Sequence, residues 1–239
     1  MKKPSFTDLL VLVPHPDDES ALCGGLIVRA VGLGMKVTVA IITTGTNGRT
    51  LGLVTRPQLA AARRTEAEKA TAALGVKRLH FLGYKDYNPR RQKVHDWTGV
   101  QKKLLAAIPP VTEKTLIVSF PPNGLNGHPD HVRCAALAHT LAGKKNTGLL
   151  CFTPEKPAAV LADNPGYMKG AERKKLHLKP THKLRLSQEE LEAKLYALSH
   201  YRTQALSILD YIRLGNGRLS AEHYALLRGK APAGLLDRK

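Results

Sequence analysis

Leu9-Leu10-Val11-Leu12-Val13 runs without a break into Pro14-His15-Pro16-Asp17-Asp18-Glu19. Five consecutive apolar residues have the length of a strand buried on both faces, the way strands of a parallel sheet read. At that strand's mouth, an imidazole and two carboxylates are packed between positions 15 and 18. Such a set supplies ligands for a divalent ion and leaves one carboxylate over for the ion's bound water. The same arrangement recurs far along the chain, where Leu116-Ile117-Val118 leads to Gly127-His128-Pro129-Asp130-His131.

Strand-length apolar runs also lie at 37–42, 78–82, 116–120 and 149–152. Helical patterns fill the gaps at 21–31, 57–74, 97–108 and 131–141, the second opening on Pro57 and stopping at Gly75. Strands alternating with helices of this length predict right-handed crossovers and an α/β fold with a three-layer, Rossmann-like, mostly parallel sheet. After Thr153-Pro154 the character changes to a Pro-, Gly-, Lys- and Asp-rich segment without periodicity. Ser187-Gln188-Glu189-Glu190 then reads as a capping box opening a long helix to about residue 209. The expectation is a single domain over 1–239, with its core at about 7–153 and a C-terminal lid and packing helices at about 154–239, because 154–186 holds few large apolar groups.

In open parallel sheets, ligands bind beyond the carboxyl ends of the strands, at the point where strand order reverses. The two His/Asp clusters follow the first and fourth strands, which can be neighbours at that point. His15, Asp18 and His131 would then surround one ion, with a position open for water as in a catalytic zinc site; Fe2+ can use the same donors. Asp17 would accept a proton from the bound water, His128 would stabilise a developing oxyanion, and Asp130 would hydrogen-bond that imidazole and keep it charged. Taken singly, Asp17 or Asp18 also reads as a cap for a helix starting near Glu19.

Composition bounds the alternatives. The chain has 239 residues, 43% of them hydrophobic, and no run approaches the roughly 18 apolar residues of a membrane helix. The N-terminal residues lead into a strand without the pattern of a signal peptide. Cys23, Cys134 and Cys151 form no CxxC and no even disulfide framework, so a reducing, cytoplasmic compartment is expected. Thirty-seven Lys and Arg against 19 Asp and Glu give a net charge of +18, densest over 169–185. That field attracts anions non-specifically and keeps a nucleic-acid-binding reading open, with the metal site vestigial. Aromatics at 5% and the lack of a recognised reading motif speak against specific nucleic-acid recognition. No GxGxxG or P-loop motif supports a nucleotide site.

On these residues the chain resembles the LmbE-like, or PIG-L, family of zinc-dependent N-deacetylases acting on N-acetylglucosamine conjugates. Residues 14–19 match its His-Pro-Asp-Asp-Glu motif and 127–132 its Gly-His-Pro-Asp-His-Val motif. Fainter echoes are Arg63-x-x-Glu66, Leu82-Gly83-Tyr84-x-Asp86 and His200-x-x-x-Gln204. The resemblance implies His15, Asp18 and His131 as zinc ligands, Asp17 as general base, and His128 with Asp130 at the oxyanion. It also implies a small amino-sugar conjugate as substrate, and leaves open an amidase acting on sugar-thiol conjugates and a homo-oligomer. One departure concerns the loop after the second strand, where Gly45-Thr46-Asn47-Gly48-Arg49 has threonine at the family's acidic position. Arg49, Arg56 and Arg63, in or just after that loop, are candidates to clamp a carboxylate or phosphate on the substrate.

Overall fold

Strand β1 (Asp8–Val13) is hydrogen-bonded on both sides, to β2 (Lys36–Thr43) and to β4 (Thr115–Ser119), and both pairings are parallel. Val11 lies opposite Val39 on one side and Val118 on the other. Its side chains alternate between two cores: Leu9, Val11 and Val13 enter one, Leu10 and Leu12 the other. That is why the run is apolar throughout. The computed structural model describes residues 5–145, 147–154, 166–214, 219–229 and 232–238.

Among these residues the sheet has eight strands in the order β3-β2-β1-β4-β5-β7-β6-β8, with β3 at Arg78–Tyr84 and β5 at Gly148–Phe152. The five strands from β3 to β5 are parallel, and order reverses between β1 and β4, as the alternation of patterns predicts. Helices α1 (Asp18–Gly32) and α2 (Leu59–Ala73) bury Leu26, Ile27, Ala67 and Ala70 in one core. On the other face, α3 (Val100–Ala107) and α5 (Pro129–Lys145) bury Leu104, Cys134, Ala138 and Leu141. Between β4 and α5 lies the short α4 (Gly124–Gly127). No helix among the described residues is long and apolar enough to cross a membrane.

The last third is more than a lid with packing helices. After α6 (Gly170–Lys175), strands β6 (His182–Arg185), β7 (Ala221–Arg228) and β8 (Asp237–Arg238) extend the sheet antiparallel from β5. Polar residues hid β7: its Glu222 is buried, yet its carboxylate accepts the backbone N–H groups of Gly25 and Leu26 at 2.8 and 2.9 Å and pairs with Lys194 at 2.6 Å. Those N–H groups are free because α1 breaks at Cys23 (φ −142°). The expected helix over 187–209 keeps its capping box at Ser187 but splits into α7 (Gln188–Ser199), a 3-10 turn (Arg202–Gln204) and α8 (Ala205–Leu214). Residues 155–165 of the expected lid lie outside the described residues.

Candidate metal centre and substrate cleft

The mouth of β1 is tied to β2 through the Pro14 carbonyl, which accepts both the N–H and the hydroxyl of Thr43 at 2.8 Å. Three residues on, Asp17 adopts φ 126°, a conformation that L-residues avoid. Its side chain makes no capping bond to α1, so the helix-cap alternative falls away. The second cluster is positioned by a close approach: a Cβ on Gly124 (φ 61°) would meet His131 Cβ at 2.9 Å. Glycine there lets its carbonyl take the His131 Nδ1 proton at 3.0 Å.

Accounting for protons identifies the donors. His131 commits Nδ1–H to Gly124, and His15 commits Nε2–H to Asp130 Oδ2 at 3.2 Å. The remaining nitrogens, His131 Nε2 and His15 Nδ1, face each other at 3.3 Å. Asp18 Oδ2 lies 3.3 Å from His15 Nδ1, and its Oδ1 lies 3.9 Å from His131 Nε2. Tetrahedral ligands bound at zinc distances sit about 3.3–3.5 Å apart. Two ring nitrogens and a carboxylate this close demand a shared positive charge, which a proton or a metal ion supplies. Burial works against charge on His15, but hydrogen bonds to Asp130 and Asp18 outweigh it and lift its imidazole to about 10. Burial lowers His131 to about 4. The donor set therefore fits a divalent ion.

His128 stands beside them, its ring nitrogen within 4.8 Å of those of His15 and His131. Its Nδ1 accepts the Asp130 N–H at 3.1 Å, so a neutral ring carries its proton on Nε2. Burial, with His131 and His15 adding, pushes this imidazole well below its usual range. The expectation that Asp130 keeps His128 charged is therefore corrected. The Asp130 carboxylate instead serves His15 and the Tyr87 N–H (2.6 Å), and His128 is a neutral donor.

The three arginines separate. Arg63 is buried, donating to the carbonyls of Gly45 (2.9 Å) and Pro16 (2.5 Å), with Nη2 3.3 Å from Asp17 Oδ2. It holds the base candidate and so departs from the expected substrate clamp. Burial raises Asp17 to about 8 while Arg63 opposes the rise. Arg56 is exposed and buckles the loop through the Thr46 and Gly48 carbonyls, again away from a clamp role. Arg49 lines the cleft with an exposed side chain. Thr46, at the position where the family has an acid, donates to Asp86 Oδ1 at 3.0 Å, and Asn47 N–H donates to Asp86 Oδ2 at 2.8 Å. Within the basic run, Arg173 is buried and bonded to the Asn126 carbonyl, whereas Lys174 and Lys175 are exposed.

The cleft, about 410 Å3, is floored by His15, Asp17, Asp18 and His131. Its far wall comes from the last third, in Tyr167, Gln204, Ser207, Asp210 and Tyr211. Sequence reasoning missed most of these. The Tyr211 hydroxyl donates to Asp18 Oδ1, and the Tyr201 hydroxyl donates to Glu19 Oε1. Tyr87 and Tyr167 stand edge-on to His128, with ring centroids 5.6 and 4.9 Å away. Tyr201 falls within the expected helix and reads there as a core residue, and only the fold shows where its hydroxyl ends.

Comparisons with known proteins concern the chain as a whole. The family profile described as PIG-L, GlcNAc-PI de-N-acetylase, matches residues 10–142. The probable N-acetyl-alpha-D-glucosaminyl L-malate deacetylase 2 of Bacillus anthracis is 34% identical over 126 residues, 52% of this chain and 54% of that protein. The match thus spans about half the length of the first curated relatives. A 1D-myo-inositol 2-acetamido-2-deoxy-alpha-D-glucopyranoside deacetylase from Actinosynnema mirum is 31% identical over 96% of this chain and 95% of its own. Among solved structures, N,N'-diacetylchitobiose deacetylase from Pyrococcus horikoshii superposes with TM-score 0.64 at 21% identity, over 93% of this chain and 84% of that one. The 4-carboxy-2-hydroxymuconate hydratase of Pseudomonas putida superposes equally well, TM-score 0.65 at 17% identity over 95% and 98%, so the fold alone does not choose the reaction. With the profile covering more than half of the chain and both His-Pro-Asp segments inside it, the chain belongs to the PIG-L (LmbE-like) family.

Proposed function

We propose that this chain is a metal-dependent hydrolase that removes the N-acetyl group from an N-acetylglucosamine-type conjugate. The observation that carries the reading is the meeting of His15 Nδ1, His131 Nε2 and Asp18 at 3.3–3.9 Å, with Asp17 unused as a cap beside them. His15, Asp18 and His131 would hold the ion, Zn2+ by their nitrogen and oxygen donors, with Fe2+ able to use the same set. A divalent ion in such a site acidifies water and polarises a carbonyl oxygen.

The chain's own groups divide the remaining work. Asp17 takes the proton of the attacking water and returns it to the departing nitrogen, so that water and an amide become acetate and a free amine. Arg63 holds the Asp17 carboxylate in place from a site with little solvent to compete. His128 offers Nε2–H to the carbonyl oxygen as negative charge gathers there, a role a neutral imidazole fills without a charged state. Asp130 orients His15 in the manner of a carboxylate that supports a metal-binding histidine. Arg49 on the cleft lining suits an anionic substituent on the sugar.

The test is metal analysis of the purified protein together with acetate release from N-acetylglucosamine conjugates bearing neutral and anionic substituents. Zinc or iron near one equivalent with acetate release from at least one conjugate is the expected result. A metal-loaded protein that hydrolyses none of them overturns the deacetylase reading.

A further inference from the structure

We propose that Tyr211 is a positioning residue for the metal centre, its phenol hydroxyl orienting the Asp18 carboxylate toward the ion. The proposal rests on the reading of His15, Asp18 and His131 as ligands. Tyr211 lies on α8, outside residues 10–142 that match the family profile, so its role is read from its contacts alone.

Asp18 is held at both oxygens. Oδ2 accepts the backbone N–H of His15 at 3.0 Å, and Oδ1 accepts the Tyr211 hydroxyl. Two donors from different elements fix the rotation of the carboxylate about its own axis, so the lone pairs left over stay turned toward His15 Nδ1 and His131 Nε2. Asp18 is fully buried, and no bulk water stands ready to replace a lost donor on Oδ1. The Tyr211 side chain lines both the cleft and a small cavity of about 90 Å3 walled by Leu125, Leu198, Ile208 and Ile212. Partners of this kind that orient ligands typically cost about 10–100-fold in metal affinity when removed.

The experiment measures zinc affinity of the metal-stripped, refilled full chain by competition with a chromogenic chelator. Tyr211→Phe keeps the ring and removes only the hydroxyl, and we expect zinc to bind about 10–100-fold more weakly. Tyr201→Phe removes a second buried phenol hydroxyl, bonded to Glu19 instead of a ligand, and should bind zinc within about twofold of wild type. Tyr211→Leu serves as a second hydroxyl-free variant. Either Tyr211 variant, folded by circular dichroism and binding zinc as wild type does, overturns the positioning role. Loss of fold in both overturns it as well, since the bond would then be a structural one. A wild-type chain that binds no zinc at all refutes the ligand reading itself, an outcome distinct from these.

Discussion

The parallel half of the molecule and its C-terminal third meet across one cleft, yet they contribute different things. From β1 to α5 come the nitrogen and carboxylate donors, each set at a strand mouth by a local device, the positive φ of Asp17 or the close approach at Gly124. From Tyr201 to β7 come groups that hold that half from behind: Tyr211 on the donor Asp18, Tyr201 on its neighbour Glu19, Thr203 on Glu66 of α2 and Glu222 on the broken helix α1. Some support comes from the parallel half itself, Arg63 on Asp17 and Asp130 on His15, but the rest is coded far from the donors. Donors are clustered in sequence, while each of these C-terminal supports stands more than a hundred residues from the group it holds.

Substitutions in the two regions should therefore fail in different ways. The largest effect is expected from His131→Ala, which should lose both metal and turnover; unaltered zinc in the dialysed variant would show that the donor assignment is wrong. Asp17→Asn should hold its metal while turnover falls by about 10²–10⁴, because only the proton acceptor is gone. Full activity in that variant would remove Asp17 from the chemistry. On the supporting side, Lys194→Met leaves the Glu222 carboxylate buried without its cation and should cost about 3–5 kcal/mol in denaturant unfolding, with zinc stoichiometry preserved. A loss under about 1 kcal/mol would mean that the N–H groups of Gly25 and Leu26 and the Tyr224 hydroxyl suffice for Glu222. The smallest effect belongs to Arg49→Ala, worth less than about 1 kcal/mol and hence under about fivefold in KM for an anionic conjugate. Equal loss on a neutral conjugate would break the link between that guanidinium and substrate charge.

The same division explains what the sequence made legible. Strand-length apolar runs ending in His-Pro-Asp segments locate the sheet, its switch point and the ligand candidates, because strand, turn and donor are consecutive. Arg63 is legible as a residue of the site but its job is not: a guanidinium near a loop looks the same whether it faces a substrate or the Asp17 carboxylate. Glu222 in β7 breaks the apolar pattern that would mark a buried strand, since its compensation by Lys194 and α1 is visible only in three dimensions. The break between α7 and α8 is equally silent. Apolar spacing continues through it, and what stabilises the turn is the Glu66 carboxylate receiving the Thr203 N–H at 2.9 Å.

Helix α1 is completed by a residue 197 positions downstream of Gly25. During synthesis β7 must therefore leave the ribosome before the N–H groups of Gly25 and Leu26, exposed by the break in α1, find their carboxylate. Long-range closure of this kind slows folding and lengthens exposure to aggregation. Closure of the break in α1 is in this sense a late event, following translation of β7.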